Sequence, residues 1–76
     1  MGISIFTEYL EILVTYSDKV DAADVTPDEY IDYQRLEDRL LTAHNRGYFN
    51  QQDYKALMGI YYHIKEGFKE VLGLGA

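Results

Sequence analysis

The residues best suited to chemistry are a histidine and two glutamates near the end of the chain. His63 and Glu66 are three positions apart, and Glu70 follows four positions later. On an α-helix this spacing places an imidazole and two carboxylates on one face, where they could bind a divalent cation. Di-iron bundles, however, use the opposite order, Glu-x-x-His, and repeat it. We therefore interpret the motif as an ordinary polar face, and a metal or ligand carrier is the third-ranked hypothesis.

A second combination, His44 with Tyr48, has side chains that take part in acid–base catalysis. No serine or cysteine nucleophile motif accompanies it, and the chain contains no cysteine. No glycine-rich loop precedes a predicted helix in the manner of a nucleotide-binding site. We predict that the protein is not an enzyme and uses no metal and no cofactor.

Three amphipathic helices are predicted to carry these residues, at 4–22, 27–46 and 50–72. The connection between the second and third helices is so short that they must be antiparallel neighbours. A chain of 76 residues forms one domain. The predicted fold is a small all-α domain of three helices, in which the second and third form an antiparallel hairpin and residues 73–76 form a flexible tail.

The third helix has the clearest period, because its apolar residues recur at alternating steps of three and four. Asn50 is its expected N-cap, and Gly73 is suited to end it. Gly59 and Gly67 lie inside it, and we interpret them as the place where another helix of the domain, or alternatively a partner's helix, approaches closely. The apolar stripe consists of Tyr54, Leu57, Tyr61, Ile64, Phe68 and Val71.

The second helix has the strongest local start signal of the sequence. Thr26 is a natural N-cap, Pro27 is favoured at the first helical position, and Glu29 completes a capping box. Gly47 is expected to end this helix. These signals predict that the second helix begins at Pro27, directly after the first interhelical connection.

The first helix is apolar over most of its circumference, so it requires two neighbours. One stripe contains Phe6, Leu10, Leu13 and Val20, and the other contains Ile5, Tyr9, Ile12 and Tyr16. Either both stripes pack inside one chain, or the second stripe meets another copy or a partner. Self-association through Ile5, Tyr9, Ile12 and Tyr16, giving a homodimer, is the alternative functional hypothesis.

Charge is distributed unevenly along the chain. Residues 1–38 contain ten acidic and two basic side chains, whereas residues 39–76 contain three acidic and five basic ones, for a net charge of −6. An acidic surface argues against direct binding to nucleic acid and favours a protein partner with a basic surface, including a nucleic-acid-binding protein. The residues predicted to bind it are Asp18, Asp21, Asp24, Asp28 and Asp32, here called the acidic end, together with Tyr30.

These patterns predict a non-catalytic protein-interaction module, a small regulator or inhibitor that docks on another protein. The competing explanation of the acidic side chains is that they only keep a small protein soluble. No apolar run approaches the ~20 residues that span a membrane, so we expect no membrane association and a cytoplasmic location. The small size and the lack of catalytic motifs are typical of accessory proteins of phages and mobile elements.

Overall fold

The computed structural model describes residues 4–74, which form three α-helices and contain no strand. Helix α1 is Ile5–Asp21, α2 is Pro27–Asn45 and α3 is Gln51–Leu72. The predicted all-α fold is confirmed, and each helix boundary lies within one residue of its prediction. Helices α2 and α3 form the expected antiparallel hairpin, and both also pack against α1.

The helices begin at side-chain caps that the sequence identifies. Ser4 caps α1 by accepting a hydrogen bond from the backbone N–H of Thr7. Thr26 and Glu29 form a complete capping box, in which each side chain accepts a backbone N–H of the other residue. Asn50 Oδ1 accepts the N–H of Asp53 at 2.8 Å. Each cap supplies an acceptor to N–H groups that have no partner within the helix.

The helices end in left-handed residues that allow the last carbonyls to be paired. Gly47 follows α2 with φ of 82°, and Gly73 follows α3 with φ of 73°. After α1 the same position is taken by Ala23, with φ of 54°, although its Cβ disfavours this region. The backbone N–H of Leu74 still donates to Lys69 at 2.8 Å. The rest of the predicted flexible tail, residues 75–76, lies outside the described residues.

Helix α3 supplies the centre of the core. Leu57, Tyr61, Ile64 and Phe68 are buried, as their spacing predicts, while Val71 at the end of the stripe is 38% exposed. Helices α1 and α2 each pack against α3 more closely than against each other. Helix α3, which has the clearest apolar period in the sequence, is therefore also the central helix of the fold.

Aromatic rings fill the space where the three helices converge. Phe68 of α3 lies 5.9 Å from Tyr16 of α1 and 4.9 Å from Tyr33 of α2, measured between ring centroids. Tyr33 stacks on Tyr61 at 4.8 Å, and its hydroxyl donates to the Tyr61 carbonyl at 2.8 Å. Because that hydroxyl has an acceptor, Tyr33 is fully buried without an unpaired polar atom.

The two glycines inside α3 have different surroundings. A Cβ on Gly67 would lie 2.8 Å from Val20 Cγ1 of α1, whereas a Cβ on Gly59 would meet no atom within 4 Å. Gly67 therefore permits the close α1–α3 approach that the sequence predicts, and Gly59 has no such role within the described chain.

Alanine substitutions should distinguish the crowded position, Gly67, from the open one, Gly59. Gly59→Ala should stabilise the protein by up to about 1 kcal/mol, because alanine is the better helix former and space is free. Gly67→Ala should be less stable than Gly59→Ala by about 1–3 kcal/mol, because the added methyl overpacks the contact with Val20. Urea unfolding of both variants measures the difference. Equal stabilisation by the two substitutions would contradict a close α1–α3 contact at Gly67.

Candidate functional site

An open groove runs between α1 and α2 on the side away from α3. It has a volume of about 730 Å³. Its apolar lining comes mainly from Ile5, Tyr9 and Ile12 of α1 and from Ala43 of α2, and Tyr48 lies at one end. The three α1 residues belong to the stripe predicted to self-associate, and all three are only partly buried within the chain. The groove is an open and mainly apolar concavity on the described part of the chain.

Tyr16, the fourth residue of that stripe, lies elsewhere. Its ring packs 5.0 Å from Tyr33 and 5.9 Å from Phe68, within the aromatic core. All four residues of the stripe pack against the core in part, and Ile5, Tyr9 and Ile12 also line the groove. Packing inside the chain therefore covers part of each of these side chains, and self-association through the stripe stays a prediction.

Opposite charges line the two edges of the groove. Helix α1 contributes Glu8 and Glu11, and α2 contributes Arg39 and Arg46 together with Asp38. All five side chains are exposed. The Arg39 guanidinium lies 5.6 Å from the centroid of the Tyr9 ring, so these two residues lie at the same level of α1 and α2.

The acidic end surrounds the connection between α1 and α2. All five of its aspartates are exposed. Asp32 lies 3.8 Å from Arg35, measured between Oδ1 and NH1, and the ion pairs found within residues 4–74 include none of the other four. The left-handed turn at Ala23 is stabilised by hydrogen bonds from Ala23 N to Val20 O and from Asp24 N to Lys19 O.

Lys19 is the basic side chain nearest to this turn, and it is bound to Glu29 of α2. The hydrogen bond between the two side chains raises the pKa of Lys19 and lowers the pKa of Glu29. Both groups therefore remain charged over a wide pH range, and their pair joins the end of α1 to the start of α2. The lysine neutralises the capping-box glutamate, so the neighbouring aspartates keep their negative potential.

Helix α3 adds two glutamates to this region, which sequence reasoning did not include. Glu66 and Glu70 line a shallow cleft of about 540 Å³ together with Asp21 of α1 and His63. The predicted antiparallel hairpin could have indicated that Glu66 and Glu70 lie near the acidic end, because it brings the end of α3 back to the start of α2. In residues 4–74 no group of three or more His, Asp or Glu side chains is arranged to hold a metal ion.

Tyr30 is the one predicted partner-binding residue that the structure places in the interior. Its side chain is only 9% exposed, and its ring lies 5.4 Å from that of Phe68. The expectation that Tyr30 is exposed is wrong, because Tyr30 precedes Tyr33 by three residues and so continues the core stripe of α2. Tyr62 of α3, which is outside the apolar stripe of that helix, is 47% exposed.

His44 has a structural role at the α2–α3 connection. Its Nδ1 lies 3.2 Å from the carbonyl oxygen of Phe49, so this nitrogen carries the proton and donates it. The imidazole also stacks on Tyr54, with ring centroids 4.4 Å apart. These contacts fix the short connection, and they occupy the ring that sequence analysis considered for acid–base chemistry with Tyr48.

Comparison with known proteins leaves the functional assignment to the chain's own geometry. The sequence matches no protein-family model, and neither curated proteins nor solved structures show a significant match. In the part of the chain that is described, no helix combines the length and apolar character needed to cross a membrane. The groove and the acidic end are therefore the two surfaces from which function is argued.

Proposed function

We propose that this protein is a non-catalytic interaction module of the cytoplasm, whose acidic end docks on a basic surface of another protein and regulates or inhibits it. The observation that supports the proposal is the exposure of the five aspartates around one turn, beside a lysine that is already bound to Glu29. A basic partner can therefore approach carboxylates without first breaking the Lys19–Glu29 pair. A nucleic-acid-binding protein is one class of partner with such a surface.

The cleft beside the acidic end is suited to a single lysine or arginine side chain. Val20 and Val71 give it apolar walls, and Asp21, Glu66 and Glu70 give it carboxylates. Long basic side chains bury their methylene stems on apolar surface and keep the charged group among acidic partners. An arginine of the partner is the better fit, because its guanidinium can bind two carboxylate oxygens at once.

The net charge favours a protein over nucleic acid as the partner. Phosphates would approach a chain that carries −6, and the lost attraction would have to be replaced by base contacts. A basic protein surface, in contrast, is attracted over a Debye length of about 8 Å at physiological ionic strength. Association should therefore be fast and should slow as salt is added.

Replacing Asp21, Asp24 and Asp28 together by asparagine should slow association several-fold while leaving the fold intact. The reason is that exposed charges act mainly on the encounter rate and contribute little to folding. The partner is first captured from an extract of the native host and identified by mass spectrometry. Stopped-flow association rates at low and high salt are then compared for parent and variant.

A matched control shifts the net charge by +3 elsewhere, through Glu37→Gln, Asp53→Asn and Asn45→Lys. It changes the net charge by the same amount and spares the acidic end. The proposal expects the control to associate at nearly the parent rate. A rate that is indifferent both to salt and to the aspartate substitutions would contradict docking and leave solubility as the role of these side chains.

A further inference from the structure

The groove between α1 and α2 leaves an apolar surface uncovered in the single chain. Ile5, Tyr9 and Ile12 reach it from α1, and each keeps part of its side chain accessible. A groove between two antiparallel helices is the shape that further helices fill in a four-helix bundle. Its lining is suited to side chains of another helical pair.

The charges at the edges of the groove are self-complementary. Glu8 and Glu11 lie on the α1 edge, and Arg39 and Arg46 lie on the α2 edge. Helices α1 and α2 are antiparallel, since Tyr9 faces Arg39 near one end and Lys19 meets Glu29 near the other. A two-fold axis parallel to the helices brings the acidic edge of one copy over the basic edge of the other at the same level.

We infer that a second copy of this chain covers the groove, with α1 of each copy lying over α2 of the other. The four helices then enclose Ile5, Tyr9 and Ile12 from both copies in one shared core. Each helix pair that meets across the axis is antiparallel and joins the edge with Glu8 and Glu11 to the edge with Arg39, Arg46 and Asp38. The interface is isologous, so each contact occurs twice.

The distribution of charge favours a second copy over an unrelated protein in this groove. The whole chain carries −6, so two copies repel each other over most of their surfaces. The five charged residues that line the groove sum to −1. Two copies that meet at this face therefore avoid most of the repulsion that the net charge implies, and glutamates of one copy lie opposite arginines of the other.

The dimer goes beyond docking at the acidic end and does not depend on it. A two-fold axis parallel to the helices leaves both acidic ends on the same side of the dimer. Such a dimer offers two equivalent acidic surfaces to one partner or to two adjacent partner copies. Asparagine substitutions at Asp21, Asp24 and Asp28 should leave the dimer unchanged, so the two proposals fail independently.

Light scattering of the parent protein should give twice the monomer mass of 8.8 kDa. Ile12→Glu should give a folded monomer, because it places a carboxylate without a partner in the shared core. Val14→Glu is the matched control on the same helix: Val14 is 50% exposed and does not line the groove, so this variant should remain a dimer. Circular dichroism establishes that both variants are helical.

Charge exchange tests the pairing at two exposed side chains that lie at the same level, Glu8 and Arg39. Glu8→Arg and Arg39→Glu should each weaken the dimer about tenfold, because each creates two like-charge contacts across the axis. The double variant should recover most of the lost affinity. A parent that stays monomeric at high concentration overturns the inference, as does a dimer that resists both Ile12→Glu and charge exchange. A monomeric parent whose groove instead binds a different host protein overturns it equally.

Discussion

Phe68→Ala is expected to destabilise the protein by about 3–5 kcal/mol, enough to lower its melting temperature by roughly 15 °C or more. The ring is fully buried and lies within 6 Å of Tyr16, Tyr30 and Tyr33, so its removal leaves a cavity where all three helices meet. Small domains have a total stability of about 5–15 kcal/mol. The substitution should therefore remove between about a fifth and all of this stability. Thermal melts and urea unfolding, followed by circular dichroism, measure the loss.

Tyr62→Ala is the matched control for this substitution. Tyr62 is also an aromatic residue of α3, but it is 47% exposed, and its hydroxyl bonds to Glu37 at the surface. Its truncation should change stability by less than about 1 kcal/mol. If Phe68→Ala melts as close to the parent as Tyr62→Ala does, the aromatic cluster is not the centre of the fold.

The protein is expected to unfold at alkaline pH through two of its buried tyrosines, Tyr33 and Tyr61. Burial raises the pKa of Tyr33 and of Tyr61 well above the ordinary value of about 10. Because the folded-state pKa is raised, this stabilisation is complete below about pH 10 and is lost as the pH rises above it. Each tyrosine should remove about 1.4 kcal/mol of stability for every pH unit above about 10. Urea unfolding at several alkaline pH values measures this slope.

Tyr33→Phe tests the assignment, because it keeps the ring and removes one of the two titrating groups. The slope above pH 10 should fall by about half, while stability at neutral pH should fall by only about 1 kcal/mol from the lost hydrogen bond to the Tyr61 carbonyl. Tyr48→Phe is the control, since that side chain is 55% exposed. An alkaline slope that is the same in all three proteins would show that other groups cause the unfolding.

The fold could be predicted because its signals are local. The period of α3 depends only on residues within one helix, and Leu57, Tyr61, Ile64 and Phe68 are buried as that period requires. The helix starts follow from caps three residues long, such as Thr26 with Glu29. The end of α1 lacks such a signal, because Ala23 takes the left-handed position that glycine usually occupies.

The candidate site was harder to predict because it depends on which surfaces meet. Two apolar stripes on α1 do not tell which one is covered, and the structure divides one stripe between Tyr16 in the core and Ile12 at the groove. Tyr30 was assigned to partner binding together with the acidic residues around it, such as Asp28 and Asp32. It is buried because it lies three residues before Tyr33, on the same face of α2. Glu66 and Glu70 join the acidic region only through the direction of α3, which is tertiary information.

The central position of α3 has a consequence for the order in which the chain folds. The α2–α3 hairpin closes through residues 46–50, so its formation loses little chain entropy. Helix α1 must bridge the whole of α2 in sequence before it reaches α3, and that more distant contact is the slower one to form. We therefore expect the hairpin to form first and α1 to dock on it last.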